Sequence, residues 1–170
     1  IVSITTDKVY KNNDLEEYFF KENDFIGGKD PYSSSKSCVE ILSDSYRYSY
    51  LENSYLLATV RAGNVIGGGD WGEGRLIPDI MKALIKSKTS KIRNPESIRP
   101  WQNVLESISG YLCLGNELLN EKKEFASSWN FGPNKSDHLS VSSLLKIMKK
   151  GWEKIEFKET KQTQFKESKL

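Results

Sequence analysis

A run of mostly β-branched residues, Ile1-Val2-Ser3-Ile4-Thr5-Thr6, stops abruptly at the charged pair Asp7-Lys8. The run predicts a strand over about residues 1–6, and its polar end is the kind of place where open α/β sheets put their chemistry. A polar loop over residues 11–31 precedes a helix expected over about 33–52, in which Val39, Leu42, Tyr46 and Tyr50 recur at helical spacing. Tyr55 to Arg61 then reads as a short buried strand. A strand, a helix and a second strand in that order predict an α/β chain with a parallel sheet.

The rest of the chain continues the pattern. Gly63 to Gly74 holds six glycines, too many for the interior of an element, and predicts a loop whose backbone approaches something closely or takes positive φ. A helix is expected from about Leu76, with Ile77, Ile80, Met81, Leu84 and Ile85 forming an apolar stripe. Lys91 to Asn94 reads as a short edge strand, and Pro95 to Pro100 as a turn leading into Trp101-Gln102-Asn103. Over about 104–121 a helix would present Val104, Ile108, Tyr111, Leu112, Gly115, Leu118 and Leu119 on one face. Trp129 to Phe131 reads as a strand, residues 140–150 as a weaker helix, and the tail from Lys154 to Leu170 as an edge strand followed by disorder.

With 170 residues, 37% of them hydrophobic, the chain can bury one core. Lys and Arg number 25 against 23 Asp and Glu, a net charge of +2 spread along the chain, which argues against a nucleic-acid partner. Cys38 and Cys113 lie far apart and His138 is the sole histidine, so neither a disulfide framework nor a metal site is expected; both cysteines are expected to be reduced and packed. No stretch reaches the roughly 20 apolar residues of a membrane span, and a cytoplasmic protein with no membrane partner is expected.

The motif that carries chemistry is Tyr32-Ser33-Ser34-Ser35-Lys36. A tyrosine four residues ahead of a lysine on a helix has the ammonium on its own face, where the positive charge lowers the phenol's pKa and makes a usable base. The preceding Gly27-Gly28-Lys29-Asp30-Pro31 is turn-forming, and the serines are suited to a helix start, so Tyr32 is expected at an element boundary.

Six segments occur in order: Ser3 to Tyr10, Pro31 to Lys36, Val60 to Trp71, Arg75 to Asp79, Ile98 to Gln102 and Trp129 to Pro133. In this arrangement the chain resembles the extended short-chain dehydrogenase/reductases, and within them the nucleotide-sugar 4,6-dehydratases that act on CDP-glucose. The strand-end and Tyr-Lys motifs are shared by the superfamily, whereas Gly67-Gly68-Gly69-Asp70-Trp71 and Arg99-Pro100-Trp101-Gln102 are narrower signals.

The resemblance implies part of a Rossmann-type doubly wound parallel sheet plus part of a smaller α/β substrate-binding domain. Residues 1–62 would form the C-terminal half of the NAD-binding domain and carry the catalytic residues. Residues 63–170 would belong mostly to the nucleotide-sugar-binding region, with some elements returning to the sheet. The implied reaction is an NAD-dependent lyase cycle that converts CDP-glucose to its 4-keto-6-deoxy derivative. In it Tyr32 is the base for the 4-hydroxyl, Lys36 its pKa partner and a ribose ligand of NAD, and Thr6 a hydrogen-bond partner of the sugar oxygen. Asp7 protonates the departing 6-hydroxyl, and Lys8 either deprotonates C5 or orients and neutralises Asp7. Asn64 and Arg99 are implied diphosphate and sugar contacts, and Arg75 a further one. For Arg99 the alternative is a surface salt bridge, and Trp71 and Trp101 either line the nucleotide pocket or pack beneath the loop. Asn103 stands where relatives usually carry histidine.

The glycine fingerprint that opens this fold does not occur before Thr6, so the chain reads as the middle of a longer enzyme, inactive alone, whose parent is expected to be a homodimer. The competing readings are a nucleotide-sugar 4-epimerase, a dehydratase for another nucleotide sugar, and a non-catalytic nucleotide-sugar-binding remnant.

Overall fold

A computed structural model describes residues 1–12, 18–50 and 55–160. The first sheet runs β1-β2-β6, all parallel, from β1 (Val2–Ile4), β2 (Ala58–Ala62) and β6 (Ser128–Phe131). Helix α1 (Pro31–Tyr50) links β1 to β2. The chain then leaves this sheet for β3 (Asn64–Ile66), α2 (Leu76–Ile85), β4 (Ser90–Ile92) and β5 (Ile98–Asn103). It returns through α3 (Val104–Leu119) to β6 and ends in β7 (His138–Ser140), α4 (Val141–Gly151) and β8 (Phe157–Glu159). The outlying strands form β3-β5-β7 and the pair β4-β8. The fold is thus α/β, as the strand-helix-strand pattern predicts.

Alternation along β2 decides where the helices go. All five of its residues are buried, with Ala58 and Val60 packed among Leu114 and Leu118 of α3, while Thr59 and Arg61 hydrogen-bond Glu40 of α1. Successive strand side chains point to opposite faces, so α1 and α3 cover opposite sides of the sheet. Gly110 lets α3 come close, since a Cβ there would lie 2.2 Å from the Phe131 ring. A second core joins Ile80 of α2, Ile92 of β4, Val141 and Leu145 of α4, and Ile155.

Several expectations are corrected. On α1 the buried residues are Ser33, Ser37, Glu40 and Ser43, whereas Leu42, Tyr46 and Tyr50 of the expected apolar face are exposed. The sheet surface under α1 is polar, so a polar stripe is what it accepts. The helix also begins at Pro31, because Asp30 accepts hydrogen bonds from the backbone N–H groups of Tyr32 (2.9 Å) and Ser33 (3.0 Å); an aspartate cap followed by proline in the first helical turn is a strong start signal.

Pro100 lies inside β5 rather than in a turn. It pairs with His138 of β7, and the pairing with β3 starts one residue later at Trp101, so the missing N–H interrupts neither neighbour for long. The glycine-rich loop begins with β3 rather than being loop throughout. Cys38 and Cys113 are free but exposed, not packed, because each sits on the outer side of its helix. On α3, Leu118 is buried as expected, while Ile108, Leu112 and Leu119 are exposed and Ser107 and Leu114 take inner positions. The tail supplies β8, paired with β4, and the expected disorder beyond residue 160 falls outside the described residues. Among the described residues no helix is long and apolar enough to cross a membrane.

Candidate active site

The C-terminal end of β1 builds the first part of the site. Strand pairing continues to Thr5, whose N–H donates to the Val60 carbonyl at 2.8 Å, and the chain then tightens into a single 3-10 turn, Asp7–Val9. Thr6 caps that turn by accepting the Lys8 N–H, and its hydroxyl donates to Asp7 Oδ1 at 3.0 Å. The expected partner of this hydroxyl is a sugar oxygen; here it holds the carboxyl.

Asp7 is enclosed. A Cβ on Gly63 would sit 3.0 Å from Asp7 Oδ2 and 2.7 Å from the Pro100 ring, so glycine is what lets the β2–β3 junction close over the carboxyl. Burial pushes the Asp7 pKa above the ordinary carboxylate value, and it outweighs the lowering effects of the Thr6 hydrogen bond and the Lys8 and Arg99 charges. Such a group keeps its proton to higher pH, the property a general acid requires. Gly63→Ala is therefore expected to cost about 1–3 kcal/mol of stability, read as a lower urea midpoint, and to lower turnover by displacing the carboxyl.

Lys8 borders a narrow cleft with Asp7, Tyr10, Lys29, Asp30 and Ser33. Its charge acts on two carboxylates, being among the groups that lower the pKa of Asp7 and of Asp30. For Asp30 the larger effect is hydrogen bonding by Ser33, which holds its carboxyl below the usual range.

Tyr32 sits in the first turn of α1, 53% exposed, with its phenol open to a ligand. One turn on, Lys36 Nζ donates to the Ile4 carbonyl at 3.2 Å, which anchors the ammonium against the edge of β1. Arg99, in the middle strand of the second sheet, is buried, and its charge is felt at Asp7. The surface-salt-bridge alternative for Arg99 therefore falls, and that description fits Arg75 instead: its side chain is 69% exposed and bonds Asp70 Oδ2 at 3.0 Å. Asn64 follows Gly63 directly and pairs with Trp101 across the sheet.

The structure thus brings Thr6, Asp7, Lys8 and Arg99 into one electrostatic neighbourhood, with Asn64 adjoining it. Tyr32 and Lys36 flank the same strand end, and Arg75 stands apart. Trp101 both packs and lines space: its indole N–H donates to the Leu139 carbonyl at 2.9 Å, and the ring borders a cavity of about 650 Å³ with Gln102, Asn103, Asn130 and Phe131. None of the eight expected site residues lines that cavity. Asn103 caps α3, accepting the Leu105 N–H at 2.9 Å, a local role that the comparison with histidine conceals. Trp71 is exposed.

Sequence reasoning missed a buried polar network centred on Glu40 and Arg61, which are 1% and 2% exposed. Glu40 Oε2 accepts from Arg61 Nη2 at 2.8 Å and from Thr59 Oγ1 at 2.7 Å, and Glu40 Oε1 accepts from Thr5 Oγ1 at 2.5 Å. Arg61 Nη1 donates to Tyr10 Oη at 2.8 Å, and Tyr10 in turn donates to Asn130 Oδ1 at 2.6 Å. One signal pointed to it: Glu40 follows Tyr32 and Lys36 at the same four-residue interval.

No family model matches the chain. It is 44% identical over 158 residues to CDP-glucose 4,6-dehydratase of Salmonella typhimurium, an alignment that takes in 89% of this chain and 44% of that protein. Among solved structures, the UDP-N-acetylglucosamine 4-epimerase of Methanobrevibacter ruminantium in complex with UDP-N-acetylmuramic acid superposes with a TM-score of 0.78 at 19% identity, covering 98% of this chain and 51% of that one. The dTDP-glucose 4,6-dehydratase DesIV of Streptomyces venezuelae, with NAD bound, gives 0.73 at 17% identity, covering 98% and 49%. The chain spans about half the length of the proteins it matches. Over 89% of its length this chain is similar to that CDP-glucose 4,6-dehydratase, and its α/β fold is that of these nucleotide-sugar epimerase and dehydratase structures.

Proposed function

We propose that these residues carry the acid-base machinery of an NAD-dependent 4,6-dehydratase that converts CDP-glucose to its 4-keto-6-deoxy derivative. The observation that carries the reading is Asp7: a shielded carboxyl of raised pKa at a strand end, beside a helix that presents Tyr32 and Lys36. Elimination of a hydroxyl needs a carboxylic acid, whereas epimerisation at C4 does not. The 44% identity to a CDP-glucose enzyme supports the choice of base, while the structural neighbours support only the fold.

In this reading Tyr32 takes the proton from the sugar 4-hydroxyl, with Lys36 one turn further along α1. NAD, when bound, would supply the acceptor for the C4 hydride and its redelivery to C6 once water has left. The residues present fit such a group: Tyr32 is open to a ligand, and Lys36 is held at the exposed β1 edge where a ribose hydroxyl can meet it. The ketone at C4 acidifies the C5 proton, and Asp7 then protonates the leaving 6-hydroxyl. Thr6 orients Asp7 through the bond it already makes. Lys8 serves as the C5 base or neutralises Asp7. Arg99 and Asn64 take the diphosphate and sugar, and Arg75 can swing to a phosphate by giving up an exposed, solvent-screened ion pair with Asp70.

The domain assignment belongs to the same proposal. Residues 1–62 go with the cofactor domain, and 63–170 mostly with the nucleotide-sugar region, β6 being an element that returns to the first sheet. The exposed Leu42, Tyr46 and Tyr50 of α1 support a homodimer that covers them. Light scattering of protein expressed from the complete reading frame should give twice the monomer mass, and a monomer would refute the pairing.

The deciding experiment incubates that protein with CDP-glucose and NAD and follows the base-induced absorbance of the 4-keto-6-deoxy product. Turnover is expected. Turnover only with another nucleotide sugar would overturn the substrate, and binding of nucleotide sugar without turnover of any would favour a non-catalytic binding protein.

A further inference from the structure

We propose that Glu40 is a positioning residue that, through Thr5, sets the acid-bearing end of β1 against the helix that carries Tyr32 and Lys36. The inference rests on the dehydratase reading for its kinetic arm alone. Glu40 lies one turn beyond Lys36 and two beyond Tyr32, and turns its carboxylate inward rather than out to solvent. There it bonds three strands at once. Oε1 accepts from Thr5, the residue before Thr6-Asp7; Oε2 accepts from Thr59 and Arg61 of β2, and from Ser128 of β6 at 3.2 Å.

Stability alone does not call for this arrangement. Apolar packing of similar volume commonly holds two elements together as well as a buried ion pair does. The opposite face of the same sheet is packed with Ala58, Val60, Leu114 and Leu118. What hydrogen bonds add over apolar contact is direction. A helix resting on alanines and leucines can slide, whereas one held by three short bonds from a carboxylate has its register along the strands defined.

That register matters because Asp7 and Tyr32 stand on different elements with no covalent tie shorter than the loop between them, and misplacement by about 1 Å costs on the order of 100-fold in rate. Ser37 reinforces the placement by donating to the Val9 carbonyl at 3.0 Å, at the far end of the Asp7 turn.

Thr5 provides the test, since it belongs to the tether but not to the reacting groups. Thr5→Val keeps the shape and removes the hydroxyl, Thr5→Ser keeps the hydroxyl, and Ser128→Ala removes a bond to Glu40 on a strand that carries none of the acid-base residues. In protein from the complete reading frame, Thr5→Val should lower kcat about tenfold or more with KM little changed, while Thr5→Ser and Ser128→Ala stay close to wild type. Hydrogen exchange should quicken in Thr5→Val at Thr6–Tyr10 and Tyr32–Ser37 and not in α2. If valine does not fold at this position, Thr5→Ala carries the same test.

Wild-type kcat or wild-type exchange in Thr5→Val would overturn the proposal, as would an equal loss in all three variants. A wild-type protein silent toward CDP-glucose would instead refute the substrate reading, and the exchange pattern would then decide the tether by itself.

Discussion

Asp7→Asn is expected to lower the rate of dehydration by about 10²- to 10⁴-fold, the usual contribution of one positioned acid. The same change should stabilise the protein at neutral pH. The folded-state pKa of Asp7 is raised by burial, so folding favours the protonated form, and the ionised form costs stability at any pH above that value. The net effect already includes the attraction of Lys8 and Arg99. As pH falls from the raised pKa toward the ordinary carboxylate value, wild-type Asp7 takes up its proton and the cost fades, to vanish below that ordinary value. Melting temperatures of wild type and Asp7→Asn should therefore differ near neutrality, with the variant higher, and converge in acid. A variant less stable than wild type at neutral pH would show that the carboxylate is held ionised by Arg99, and would remove Asp7 from the acid's role.

The second large effect concerns the buried pair. Glu40→Leu or Arg61→Leu alone should cost about 3–5 kcal/mol, because each leaves an opposite charge inside the fold without its partner. The double substitution should recover part of that loss, since apolar groups pack where two charges stood. Urea denaturation of the four proteins measures the coupling, and strictly additive losses would contradict it. Acid should weaken the pair in wild type. Burial by itself would raise the Glu40 pKa, but the hydrogen bonds from Arg61, Thr5 and Thr59, with the Arg61 charge, bring it below the ordinary glutamate value. The stability it contributes is present above that ordinary value and is lost as pH falls through the lowered one.

Local patterns in the chain were legible to different depths. The β-branched run ending at Thr6-Asp7 does stop at the site, and the apolar stripe of α2 does bury Ile80. Both rest on interactions between near neighbours. For α1 the helix was legible but its orientation was not. Val39, Leu42, Tyr46 and Tyr50 make an apolar stripe by spacing, yet Ser33, Ser37, Glu40 and Ser43 are the residues turned inward. Pro100 reads as a turn residue from its neighbours and lies in a central strand because His138 of β7 pairs with it, while β3 pairs from Trp101 onward.

The amino-acid sequence by itself determined the first strand, the four helices, and the chemical repertoire of Thr6, Asp7, Tyr32 and Lys36, since spacing and side-chain chemistry are properties of neighbours. Only the tertiary structure decided that Asp7 is shielded by Gly63 and Pro100, that Arg99 is buried while Arg75 is a surface pair, and that α1 faces the sheet through Glu40. The reason is that burial depends on what another part of the chain supplies. Glu40 can turn inward because Thr5, Thr59 and Arg61, each at least 19 residues away, meet it with donors.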